Sequence, residues 1–141
     1  MSELSAFFTE HDASLGQVFY PRDFLVATLP SAQAAFAAAI AVEKTVPKED
    51  RQAVSAGEML EFFNEFHSRT GVSGGAMRAL SRFVDTEAKW ADADIKSAKR
   101  GYGFLVVRSD TKETALSVAS RLAPFQPISI EWYRALGVES L

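Results

Sequence analysis

The stretch "KRGYGFLVV", residues 99–107, decides how this chain is read, because it can be a helix end running into a strand or one continuous β segment. Lys96, Lys99 and Arg100 suit the last turn of a helix, where cations meet the negative end of the helix dipole. Gly101 suits the left-handed residue with which helices commonly finish. "YGFLVVRS" (Tyr102–Ser109) then reads as a strand. Alternation places Tyr102, Phe104, Val106 and Arg108 on one sheet face, and Gly103, Leu105 and Val107 on the other.

Upstream of this point, Met77, Leu80, Val84, Ala88, Ala91, Ile95 and Ala98 recur every three or four residues, which predicts a long helix over 76–100. The glycines of "TGVSGG" (Thr70–Gly75) predict a turn before it. Ser55 and Glu58 have capping-box spacing, so a helix is expected to start there and to carry Met59, Leu60, Phe62, Phe63 and Phe66 on a broad apolar face. "RQAVSA" (Arg51–Ala56) is a short strand candidate. Further back, "DFLVATLPS" (Asp23–Ser31) reads as a strand ending at an N-cap serine, followed by an Ala-rich helix on which Phe36, Ala39 and Ile40 follow helical spacing. Downstream, Asp110 and Glu113 repeat the cap spacing ahead of an apolar stripe of Ala115, Val118, Ala119 and Leu122. "ISIEWY" alternates Ile128, Ile130 and Trp132 with Ser129, Glu131 and Tyr133, as a half-buried strand does. The N-terminal stretch and the tail "RALGVESL" receive no assignment.

The order is strand, helix, strand, two helices, strand, helix, strand. Two β-α-β units with right-handed crossovers collapse into a split β-α-β sandwich, so the expected class is α+β with a ferredoxin-like, four-stranded antiparallel sheet. One domain over 1–141 is expected, with a two-helix insertion at about 57–100 between its halves.

Composition fits one domain with a substantial core: 141 residues, 48% hydrophobic, eleven of them Phe. The net charge of -3 gives no general attraction to polyphosphate. With no cysteine, disulfides, thiolate nucleophiles and Cys-ligated zinc are excluded. The stretch 24–42 carries no charge and is near the length of a membrane span, but Pro30, Ser31 and Gln33 interrupt it, and a strand followed by a helix explains it. No signal peptide is read at the start, which makes a cytoplasmic location the expectation.

Arg100–Phe104 also satisfies the basic-Gly-aromatic-Gly-Phe opening that RNA-recognition domains carry on a central strand of a similar fold. Two aromatics on an open sheet, Tyr102 and Phe104, could stack two bases. Against this, Lys99–Gly101 is already explained as a helix end, Leu25 and Thr28 replace the companion strand's aromatic and Asn, and the inserted helices could cover the face. The two rings are therefore assigned to packing, with a single-stranded RNA-binding module kept as the alternative. A second alternative is a small-molecule enzyme with its site between sheet and inserted helices.

Other chemistry finds little support. His11 and His67 are the two imidazoles, and His67 does not share a helix face with Glu61 and Glu65, so no metal site is assigned. "GVSGGAMR" lacks the Lys-Ser/Thr ending of a phosphate loop. The serines have no triad context. No catalytic residue and no cofactor are assigned.

"QVFYPRDFLVATLPSAQAAFAAA" and the stretch from "GAMRALSRFVDTEAKW" to the end resemble a group of uncharacterised small bacterial proteins related to general-stress and heat-induced stress proteins. The likeness lies in the order of features: Gly75–Leu80, the acidic step Asp85–Glu87, Gly101, and the strand-helix-strand from Tyr102 to Tyr133. It implies a ferredoxin-like accessory domain and no transferable catalytic residues. The expected role is protein interaction or small-ligand sensing, as a homodimer with an unknown protein or small ligand as partner, and without nucleic acid or membrane. Tyr102, Phe104, Arg108, Phe62, Phe66 and Trp90 are the ligand or interface candidates. The motive for the dimer is apolar surplus: the Phe-rich helix, the seam of the long helix, and the Tyr102–Phe104–Val106 face.

Overall fold

Both glycines of the opening stretch have separate structural duties. In the computed structural model, which describes residues 3–10, 23–70, 94, 96–134 and 137–141 (side chains of 9–10 and 66–70 apart), 96–99 are helical and Gly101 follows with φ of 84°. The Gly101 N–H donates to the Ala98 carbonyl at 2.9 Å and the Tyr102 N–H to the Ser97 carbonyl at 3.2 Å. Those two bonds are the paired closure that satisfies the last carbonyls of a helix through a left-handed residue. The chain before Gly101 is helical, and the strand begins two residues after it.

Four labelled helices and five strands are described: α1 (Glu3–Glu10), β1 (Phe24–Leu29), α2 (Ala32–Ala41), β2 (Arg51–Val54), α3 (Ala56–Thr70), β3 (Gly103–Arg108), α4 (Lys112–Leu122), β4 (Ser129–Arg134) and β5 (Gly137–Ser140). The strands form one antiparallel sheet in the order β2-β3-β1-β4-β5. Val26 at its centre lies opposite Val106 on one side and Glu131 on the other. The fold is thus α+β with an antiparallel sheet, but of five strands and not four. The extra strand comes from the unassigned tail. It is a four-residue edge strand, GVES, with one apolar residue, so it lacks the alternation by which a strand is recognised.

Local signals fix the helix starts. Ser31 accepts the Ala34 N–H at 3.1 Å. At α3, Ser55 Oγ accepts the Glu58 N–H and the Glu58 carboxylate accepts the Ser55 N–H, both at 3.2 Å, a complete capping box. The cap of α4 is Thr111, which accepts the Thr114 N–H at 3.2 Å, one residue later than the Asp110 expected from spacing. A hydroxyl one step along offers the same oxygen to the same class of donor, so spacing alone does not separate the two.

The sheet is covered on both faces. One face presents Phe24, Val26, Val54, Phe104, Val106 and Tyr133 to Leu4, Phe7 and Phe8 of α1, to Met59, Phe62 and Phe63 of α3, and to Ala98. The other presents Leu25, Ala27, Leu29, Leu105, Val107, Ile130 and Trp132 to Ala35 and Ala38 of α2, to Val42, and to Ala115, Val118 and Leu122 of α4. Every residue of β1 is consequently buried. β4 is not half-buried as its alternation suggests: Glu131 and Tyr133, on its polar-looking face, are buried as well. Each fully buried Leu, Val or Phe contributes about 1.5–3 kcal/mol, so two apolar layers anchor the same central strands.

Gly103 sets how α2 lies on the sheet. A Cβ built there would fall 2.4 Å from the Ser31 carbonyl oxygen and 2.7 Å from the Ala32 Cα, so helix start and strand backbone touch directly. Such an approach leaves space for methyl groups only, and Ala35 and Ala38 face inward. Phe36 and Ile40, expected on the apolar face by spacing, point to solvent at 50% and 64% exposure.

Gly103→Ala is expected to cost more than the ~1–3 kcal/mol typical of overpacking, because the atoms it meets are backbone and cannot rotate away. Gly101→Ala, with open space around the site but a left-handed backbone, is expected to cost about 1–2 kcal/mol. Urea denaturation of the two variants checks the ranking.

Candidate functional site

Among the described residues, the sequence-derived candidates do not form one site. Phe104 is 0% exposed and belongs with Phe62 to the apolar cluster beneath α1 and α3. Tyr102, in the turn before β3, is half-buried. Arg108 is exposed at the end of β3 and lines an open cleft of about 190 Å³ with Thr45, Pro47, Asp50, Asp110 and Thr114. Its lining mixes one guanidinium with two carboxylates, which favours neither a cation nor an anion. The Phe66 side chain and Trp90 lie outside the described residues, as do His11, the His67 side chain and residues 71–93, which include most of the turn and of the long helix expected from the sequence.

The covered ring changes what β3 can do. Base stacking needs an open aromatic face, whereas Phe104 is enclosed by its own chain. The first turns of cover come from α1, whose Phe8 stacks edge-on to Phe24 with centroids 5.0 Å apart and meets Phe62 at 5.7 Å. Sequence reasoning left α1 unassigned because eight residues hold only two helical turns, too few to display a period. Phe62, Phe63, Phe104 and Val106, offered as surplus apolar surface, are all satisfied internally.

Several polar groups buried in or beside the sheet are held by the chain itself. Trp132 Nε1 donates to the Ser109 carbonyl at 2.7 Å, and the Ser109 N–H donates to the Asp23 carbonyl at 2.7 Å. The Arg134 guanidinium lies 3.9 Å over the Trp132 ring and 3.4 Å from the Asp23 carboxylate, closing that end of the sheet. Glu131, between Val26 and Ser140, is 5% exposed and accepts the Ser140 hydroxyl at 2.6 Å. Burial raises its pKa from the ordinary carboxylate value, and the Ser140 bond opposes that in part. Glu58 is raised as well, mainly by burial, with its bond from the Ser55 N–H acting the other way and the Glu3 and Glu61 charges adding to the rise. No group of three His, Asp or Glu residues is placed to share a metal ion among the described residues.

What composition did contain, without its use being recognised, is the outer face of α2. Between Ala32 and Ala41 that helix has no charged residue, and Gln33 is its one polar side chain. Its solvent face is Gln33, Phe36, Ala37 and Ile40, and Leu116 of α4, which packs beside α2 over the same sheet face, is 49% exposed. A helix apolar all round is normally a covered helix.

No family model matches the chain, and comparisons with curated proteins and with solved structures find no match either. No helix among the described residues is long and apolar enough to cross a membrane.

Phe104→Ala is expected to behave as a core deletion, costing about 3–5 kcal/mol in chemical denaturation. For Glu131, a pKa raised by folding means the native state holds its proton more tightly than the unfolded chain does. The Glu131 contribution to stability is therefore greatest at low pH and is lost as pH rises from the unfolded value through the folded one. Glu131→Gln, which keeps an acceptor for Ser140, should remove that slope. It should be the more stable protein at pH 7, with the advantage shrinking towards pH 4, as thermal melts across that range would report.

Proposed function

We propose that this chain is a ferredoxin-like accessory domain, with α3 and the helix ending at Gly101 inserted between its β-α-β halves, and that it acts through protein contact as a homodimer, not as a catalyst. The outward apolar ridge of α2, Phe36 with Ile40, carries the reading. Single exposed apolar side chains are ordinary, but two large ones a turn apart on a charge-free helix form the kind of patch that marks an interface.

The ferredoxin-like assignment is supported by strand order. β1 and β2 flank β3 with α2 between them in sequence, and β3 and β4 flank β1 with α4 between them, so two crossovers interleave. β5 then extends the β4 edge. The resemblance in feature order extends the proposal to a cytoplasmic, stress-associated setting. The alternative of a single-stranded RNA module loses its platform with Phe104 enclosed, and the alternative of an enzyme site between sheet and helices meets Phe, Leu and Met side chains filling the described part of that space.

Light scattering of the full chain should show a molar mass rising from that of one 15.4 kDa copy towards twice that value as concentration rises through the micromolar range. A constant single-copy mass up to about a millimolar, where association worth only ~4 kcal/mol would register, removes the dimer reading.

A further inference from the structure

We propose that the cleft at the end of β3 binds a small zwitterion of the α-amino-acid class, its carboxylate held by Arg108 and its ammonium by the carboxylates of Asp110 and Asp50. The site uses neither Phe36 nor Ile40, so it goes beyond the contact role above and is tested apart from it.

The first observation is a set of opposite charges that share a cleft without closing on one another. Arg108, Asp110 and Asp50 all line the same space. Among the described residues, neither the Arg108 guanidinium nor the Asp110 carboxylate has an ion-pair partner. A guanidinium only donates hydrogen bonds and an ionised carboxylate only accepts them. A lone anion in the cleft meets two repelling carboxylates, and a lone cation meets the guanidinium. A zwitterion suits both: its carboxylate accepts paired bonds from Arg108, and its ammonium donates to the aspartates.

The second is that the walls are fixed by the chain itself. Ser109, between the two charged residues, is buried and clamped twice: its N–H donates to the Asp23 carbonyl and its carbonyl accepts from Trp132 Nε1, both at 2.7 Å. Exposure alternates over Arg108, Ser109 and Asp110, so the two charges leave this backbone on the same side. The segment after α2 is held as well. The Asp50 N–H donates to the Pro47 carbonyl at 3.0 Å, and the Arg51 guanidinium donates to the Val46 carbonyl at 2.7 Å. Fixed walls spare a ligand the cost of ordering loops.

The third is size and lining. The volume of about 190 Å³ lies below the ~300–1,000 Å³ of pockets for drug-sized ligands, so the occupant is small. Thr45 and Thr114 add hydroxyls, and only Val46 and Pro47 are apolar, which favours a short or polar side chain on the ligand. Arg108 and Asp110 are exposed, so water and salt screen the contact, and dissociation in the millimolar range is expected.

Backbone-amide NMR of the isotope-labelled full chain, titrated with glycine and with L-serine, tests the site, with acetate and methylammonium as single-charge probes. Saturable shifts are expected over residues 45–50 and 108–114. Each single-charge probe is expected to bind at least about tenfold more weakly, because it lacks one of the two charge-assisted contacts. Arg108→Gln is expected to weaken glycine binding about tenfold or more. Asp110→Asn is expected to weaken it at least about threefold, since Asp50 keeps part of the ammonium contact. Both positions are exposed and Thr111 caps α4, so each variant is expected to keep the wild-type far-UV circular dichroism.

No saturable shift up to about 100 mM glycine or L-serine, well above millimolar dissociation, overturns the site and leaves the contact role standing. Acetate or methylammonium binding as tightly as the amino acids overturns the zwitterion assignment. Amino-acid binding that both folded variants leave unchanged overturns the placement in this cleft.

Discussion

The contact between Gly103 and the start of α2 governs much of this molecule. With no side chain at that strand position, the Ser31 carbonyl and the Ala32 backbone settle directly on β3. A helix so close to a sheet can turn only small residues towards it, and Ala35 and Ala38 fill that role. The large apolar residues of the same helix, Phe36 and Ile40, are left on the solvent side. One missing Cβ thus links the packing of the core to the character of the surface. An ordinary side chain at 103 would lift α2 away, open a gap over Leu105 and Val107, and make room for the larger residues to rotate inward.

The same contact answers what "KRGYGFLVV" is. As a nucleic-acid motif its two glycines would belong to one recognition strand, with Tyr102 and Phe104 as the stacking pair. Here the two are unrelated in cause. Gly101 is left-handed because a helix ends there, and Gly103 is bare because another helix rests on it. Phe104 then points to the opposite face, into the ring cluster of Phe8, Phe24 and Phe62. One local and two tertiary pressures produce a string that resembles a functional signature, which is why so brief a pattern carries little weight without its exposed face.

The parts of the fold legible in sequence were those written in local chemistry. The capping hydroxyls of Ser31 and Ser55, the helix closing at Gly101 and the face alternation of β3 are short-range features, and the structure has all of them. What was misread depended on layers meeting from a distance. β4 looked half-buried because Glu131 and Tyr133 are polar or amphipathic, yet a second layer of helices covers that face. α1 and β5 are too short to show a period, and tertiary contacts hold them: α1 through its rings, β5 through its ladder to β4 and the Ser140–Glu131 bond. The candidate site failed for a related reason. The aromatic count suggests more rings than one sheet face can bury, and α1, invisible to periodicity, covers Phe62 and Phe104.

Apolar surplus is still real in this chain, only displaced. Helical periodicity identifies which residues share a face but not whether that face points in or out, and for α2 the usual rule of large apolar residues inward fails. The rule assumes a helix at ordinary standoff from its sheet, where Leu- or Phe-sized groups are needed to fill the gap. When a strand glycine removes the standoff, the helix behaves as those of membranes and tight bundles do, with small residues at the close contact and large ones elsewhere. Reading Gly103 and the alanines of α2 as one unit, instead of as a motif and a low-complexity tract, would have turned Phe36 and Ile40 outward before any coordinates. The exposed ridge then follows from the sheet's own packing.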